Sequence, residues 1–139
     1  MIRVLIDTDV NLDFILQRQP FFVEASEIFT RLGNGEFIGY VSAVTPINVA
    51  YFTRKTKGIS GAIQAVRDLQ IAVKIIEINN ATITNALVSP ISDFEDAVQH
   101  ECAVKENLDA IVTRNLKDFK NSTIKVYSPA EFLQFLQTV

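Results

Sequence analysis

The chain has 139 residues, 48% hydrophobic and 21% charged, with a formal net charge of −3; these are values of a globular domain large enough to bury one core. A pI near 5.1 argues against a protein that holds nucleic acid mainly through a basic face, and the absence of Trp argues against a base-stacking platform. The single Cys102 excludes an internal disulfide and suits the cytosol, while no apolar run approaches the roughly 18 residues of a membrane span.

Residues 2–6 (IRVLI) form an aliphatic run that stops at Asp7. Such a run reads as a strand buried on both faces, as in parallel sheets, and not as a signal peptide. Asn11 is placed to cap a first helical turn to about Gln17, ended by Pro20. Residues 22–32 carry Val23, Ala25, Ile28, Phe29 and Leu32 at helical spacing, and Gly33-Asn34-Gly35 stops that helix. Residues 37–41 (FIGYV) give a second strand. Ser42 or Thr45 caps the next helix, which carries Ile47, Asn48, Ala50, Tyr51 and Phe52, with Pro46 in its first turn, Lys55 and Lys57 near its end and Gly58 closing it. A helix over 60–69, a third strand over 73–78 (VKIIEI) and a helix over 80–87 follow. Ser92, with Glu95 three residues on, forms a capping box for the helix DFEDAVQHECAVKENL, whose buried side carries Ala97, Val98, Cys102, Ala103 and Val104. Residues 110–113 and 124–127 are the fourth and fifth strands, and Ser128-Pro129 opens a last helix with Phe132, Leu133, Phe135 and Leu136 on its apolar face. Strands alternating with helices predict an α/β fold: one domain over 1–139, with a mainly parallel central sheet of about five strands flanked by helices.

In such sheets ligands sit beyond the carboxyl ends of the strands. The residues there are Asp7, Thr8 and Asp9 after the first strand, Ser42, Thr45 and Asn48 after the second, and Arg114, Asn115 and Asp118 after the fourth. Asp93 and Asp96 lie one turn apart at the start of the later helix. Carboxylates brought together repel and need protons or cations. Hard oxygen donors without a His or Cys cluster point to Mg²⁺ or Mn²⁺, and such an ion can bind phosphate and activate water, which makes phosphodiester hydrolysis the natural reaction. Each residue also has a plainer role. Asp7 can be a helix cap, Asp93 a helix-start carboxylate, Asp9 and Asp13 solvent-facing or capping groups, Asp118-Phe119 a turn, His100 a partly buried helix residue and Cys102 packing.

Three stretches carry a resemblance across nearly the whole chain: VLIDTDVNLD, VSAVTPINVAYFTRK and DFEDAVQHECAVKENLDAIVTRNLKDF. Together they resemble PIN-domain proteins of the VapC-like toxin group, small metal-dependent ribonucleases. The resemblance implies a three-layer parallel fold with an acidic cluster at the strand ends. It maps the metal-binding carboxylates onto Asp7, Asp96 and Asp118, with Asn48 and Asn115 assisting through carbonyl oxygens or metal-bound water. Thr8, Ser42 and Thr113 match the small polar residues that orient the acids, and Arg114 or Lys117 would meet RNA phosphates. Mg²⁺ or Mn²⁺ as cofactor, an RNA substrate, a small antitoxin partner, a homodimer and a cytoplasmic location are implied with it. Two positions depart from the family pattern: Asn48 stands where a Glu is usual, and Asn115 where Asp is frequent. Each exchange removes a negative charge and should weaken metal binding, so a catalytically weak binding module is the second reading. A phosphatase with an Asp nucleophile, suggested by LIDTDV, is the third; DFED opens a helix with no strand before it, unlike the acidic pair such enzymes need.

Overall fold

Arg3–Ile6, buried from Val4 onward, forms strand β1 at the centre of a five-stranded sheet in the computed structural model, which describes residues 1–139. After β1 come helices α1 (Thr8–Ile15) and α2 (Phe22–Gly33), strand β2 (Ile38–Ser42), helix α3 (Val44–Ala72) and strand β3 (Lys74–Ile76). Helices α4 (Asn80–Leu87) and α5 (Phe94–Lys105) lead to strands β4 (Ala110–Val112) and β5 (Lys125–Tyr127), and helix α6 (Pro129–Gln137) ends the fold. The sheet order is β3-β2-β1-β4-β5, with every neighbouring pair parallel. The expected α/β class and parallel five-stranded sheet are therefore found. No helix is long and apolar enough to cross a membrane.

Alternation along β1 sorts the two faces of the sheet, because successive side chains point to opposite sides. Leu5 packs with Ile111, Ala97, Val98, Cys102 and Ala103, which puts α4 and α5 on one face. Val4 and Ile6 pack with Val10, Ala25, Ile28, Phe132 and Leu136, which puts α1, α2 and α6 on the other. A third cluster of Leu12, Val41, Val49, Leu69 and Val73 seats α3 against β2. Each fully buried aliphatic side chain contributes about 1.5–3 kcal/mol from burial, so β1, β2 and β4, covered on both faces, anchor the sheet.

Several local details differ from the sequence expectation. Asn11 does not cap α1; it lies within the helix, buried, and its Nδ2 donates to the carbonyls of Ile6 and Asp7 at 3.0 and 2.9 Å. The cap of α5 is Asp93, one residue beyond Ser92, with Oδ1 accepting from the Asp96 amide at 3.0 Å. Gly58 breaks α3 as expected, with φ 71° and ψ −178°, a left-handed φ that glycine adopts without a Cβ clash. The third strand is shorter than the apolar run VKIIEI, because Lys74–Ile76 has only β2 beside it. Asn79 and Ser128 complete capping boxes at α4 and α6.

Candidate metal centre

The chain leaves β1 towards β2 and β3 on one side and returns to β4 on the other, so the connections diverge at the carboxyl ends of β1 and β4. That is the switch point where open α/β sheets hold ligands. The register Leu5↔Ile111 and Ile6↔Val112, continued by one residue, brings Asp7 beside Thr113. The Asp7 amide donates to the Val112 carbonyl at 3.0 Å, and Thr113 Oγ1 donates to Asp7 Oδ2 at 2.7 Å. From α5, Gln99 Nε2 donates to Asp7 Oδ1 at 2.9 Å. Asp7 is thus fixed at both oxygens and is only 3% exposed.

A cleft of about 340 Å³ opens above Asp7, lined also by Asp9, Asn48, Asp93, Glu95, Asp96, Gln99, Asn115 and Asp118, with Leu12 and Phe52 as its apolar members. No basic side chain lines it. Burial raises the Asp7 carboxyl above its ordinary value, the bonds from Thr113 and Gln99 oppose that, and the charge of Asp9 adds to it. Asp96 is pushed up to about 7, first by burial and then by the charges of Asp7, Asp93, Asp118 and Glu95. Glu95 is raised by burial and by Asp7, Asp93 and Asp9, against the bond it receives from Asn48. Burial is the first cause of all three shifts, and the mutual repulsion of carboxylates with no cation among them adds to it.

The family model that matches the sequence is the PIN domain, over residues 3–117.

The chain belongs to the PIN-domain family.

Its fold matches a toxin–antitoxin complex from Klebsiella pneumoniae at TM-score 0.68 and 22% identity, covering 91% of this chain and 97% of that one. It matches DNA-bound VapBC from Salmonella typhimurium at TM-score 0.67 and 15% identity, over 93% of this chain and 99% of that one. VapC20 of Mycobacterium tuberculosis, a toxin that cleaves the sarcin–ricin loop, matches at TM-score 0.68 and 12% identity over 85% of this chain and 94% of that one. No curated protein matches the sequence significantly.

In this PIN domain, Asp7, Asp96, Asp118, Asn48 and Asn115 all line the one cleft. Thr113 holds Asp7 directly. Thr8 instead shares a buried 2.9 Å hydrogen bond with Thr45, tying the start of α1 to the start of α3. Ser42 Oγ is buried and bonded to nothing. Arg114 is turned from the cleft: Nε donates to Asp13 Oδ2 at 2.7 Å, and the guanidinium lies 3.8 Å from the Phe21 ring centroid. Asp13, expected to face solvent or cap a helix, lies within α1 at 1% exposure and also receives Arg18 Nε at 3.0 Å. This ion-pair cluster removes Arg114 from the cleft and leaves Lys117 exposed beside Asp118. His100 is buried and its Nε2 accepts from the Thr123 amide at 3.2 Å, a packing role. Cys102 is buried in the core, where burial raises its thiol to about 11.

Two cleft residues went unrecognised in the sequence, Glu95 and Gln99. Their signal is helical spacing, since Gln99 lies three residues after Asp96 and four after Glu95, which puts all three on one stripe. The donor set of the cleft fits a hard divalent cation: carboxylates and amide oxygens without a cationic neighbour. The Oε1 atom of Gln99 is buried there with no partner, an acceptor that an ion or its water would satisfy. As the side chains stand, no three acidic, His or Cys groups form a ready-made cage, so closing on an ion requires Asp96, Asp118 or Glu95 to rotate. A larger hollow of about 440 Å³ between α1, α2 and α3 is mainly apolar and lacks any such cluster.

Proposed function

We propose that this PIN domain is a Mg²⁺- or Mn²⁺-dependent endoribonuclease, the toxin of a cytoplasmic toxin–antitoxin pair. The observation that carries the reading is that Asp7, Asp96 and Asp118, from three separate segments, line a single cleft at the β1/β4 switch point. Asp7, Asp96 and Asp118 would hold the ion, which when bound supplies an activated water and stabilises charge on the phosphodiester. Thr113 and Gln99 keep the Asp7 carboxylate in one orientation, so Asp7 itself needs little reorganisation on loading. Asn48 and Asn115, which also line the cleft, offer amide oxygens, and the exposed Lys117 beside Asp118 would meet an RNA phosphate.

The antitoxin partner rests on the likeness in fold to proteins solved as toxin–antitoxin complexes. A homodimer is supported by exposed apolar side chains on α3 and at the start of α5, with Ile47 67%, Tyr51 51% and Phe94 48% exposed. A second reading, a PIN scaffold that binds partners without cleaving, is favoured by the absence of a ready-made cage and by the neutral Asn48. Incubating purified protein with RNA, with Mn²⁺ or Mg²⁺ and with EDTA, separates them. The nuclease reading expects cleavage with metal and none with EDTA. Cleavage that persists in EDTA contradicts the metal mechanism, and stoichiometric Mn²⁺ binding without cleavage favours the scaffold.

A further inference from the structure

We propose that Glu95 is a further cation-binding carboxylate of the cleft and that Asn48 is the residue that positions it. The proposal rests on the metal-dependent reading above. Asn48 on α3 and Glu95 on α5 are 47 residues apart in the chain, and Asn48 Nδ2 donates to Glu95 Oε1 at 2.9 Å across the cleft wall. Both line the same acidic space. None of the ion pairs of the fold includes Glu95.

That combination is informative. Solvent on the far side of an exposed side chain would let Glu95 swing away from Asp7, Asp93 and Asp96. The structure holds it near them through an amide, which orients a carboxylate without neutralising it. An arginine in place of Asn48 would tie the helices together more strongly and remove the repulsion, so the bond to Asn48 keeps the negative charge of Glu95 available. The amide nitrogen of Asn48 is then occupied, and its own carbonyl oxygen remains as an acceptor.

A second observation points to a ligand at the same place. Gln99 is 1% exposed, its Nε2 is bonded to Asp7 Oδ1, and its Oε1 has no partner. Turning this amide over would set its oxygen against the Asp7 carboxylate, so the orientation is fixed by charge. Gln99, whose carbonyl oxygen is buried and unpartnered, and Glu95, one helical turn earlier on α5, line the same cleft. A cation, or the water bound to it, is the species that satisfies both an orphan carbonyl and an uncompensated carboxylate.

The test is calorimetric titration of Mn²⁺ into the full chain and its variants, with melting in EDTA as a check on folding. Glu95→Gln is expected to weaken Mn²⁺ binding by about tenfold or more, and Asn48→Ala by about three- to tenfold, with melting in EDTA not lowered for Glu95→Gln. The double exchange Asn48→Glu with Glu95→Gln puts the carboxylate on α3 and the amide on α5, and is expected to return affinity to within about threefold of wild type. Wild-type affinity in Glu95→Gln, alongside weakened binding in Asp96→Asn, would overturn this proposal and leave the metal reading intact. A wild-type chain that binds no Mn²⁺ overturns both.

Discussion

Replacing Asp96 by Asn tests whether the cleft holds uncompensated charge. The Asp96 carboxyl is raised from 3.8 to about 7 and is 7% exposed. No ion pair reaches it. A carboxyl that holds its proton more tightly folded than unfolded makes the native state the better proton binder between those two values. Stability from this group is therefore full below about pH 4 and is lost as pH rises through about 7. The shift sets an upper bound of about 4 kcal/mol at high pH, and water reaching the open cleft reduces the expected cost to about 2 kcal/mol. Asn is a neutral isostere and removes that cost. Asp96→Asn should thus melt about 5–10 °C above wild type at pH 8 in EDTA, with the gap closing by about pH 4. The assay is thermal unfolding by circular dichroism across that range. A variant that melts at or below the wild type at pH 8 in EDTA would refute the electrostatic reasoning. With Mn²⁺ present the order should narrow or invert, because ligand binding stabilises only the chain that retains its carboxylate.

Thr113→Val removes the 2.7 Å bond to Asp7 and should cost about 1–3 kcal/mol in urea unfolding while weakening Mn²⁺ binding; unchanged affinity would show that Thr113 does not orient Asp7 for an ion. Asp13→Asn leaves Arg18 and Arg114 without their shared carboxylate and should destabilise the fold by about 2–3 kcal/mol. Its Mn²⁺ affinity should match the wild type, since Asp13 does not line the cleft. Gly58→Ala forces a Cβ into a φ of 71° and should cost about 1–2 kcal/mol in the same unfolding assay; a stabilised variant would contradict the left-handed break in α3.

The strands were legible because IRVLI and FIGYV are continuous apolar runs, a pattern that burial on both faces requires. The acids after β1 and β4 were legible for a related reason: in a parallel sheet the residue that ends a strand lies at the ligand edge. What stayed hidden depends on distances in space. Asp13 looked like a surface acid because Arg114, its partner, is 101 residues further along the chain. Ser92 and Asp93 are adjacent capping residues, each with an acid three positions on, and only the 3.0 Å bond to the Asp96 amide decides between them. In the sequence Glu95 reads as part of a capping box with Ser92, and its reach across to Asn48 exists only in the fold, although its spacing from Gln99 puts both on the stripe of Asp96. The Asn48 position reads as a lost carboxylate in the sequence, and in the fold it is bonded to a carboxylate from the neighbouring helix.

If the cleft between Asp7, Asp96 and Asp118 is a divalent-metal site, an ion can be seen in it. The most direct measurement is a crystal structure of the chain soaked in Mn²⁺, with the ion located by its anomalous signal. A peak is expected within coordinating distance of Asp7 and Asp96, with Asp118 or Glu95 rotated towards it. A well-ordered cleft at saturating Mn²⁺ with no peak above Asp7, or Mn²⁺ bound only elsewhere on the chain, would contradict it.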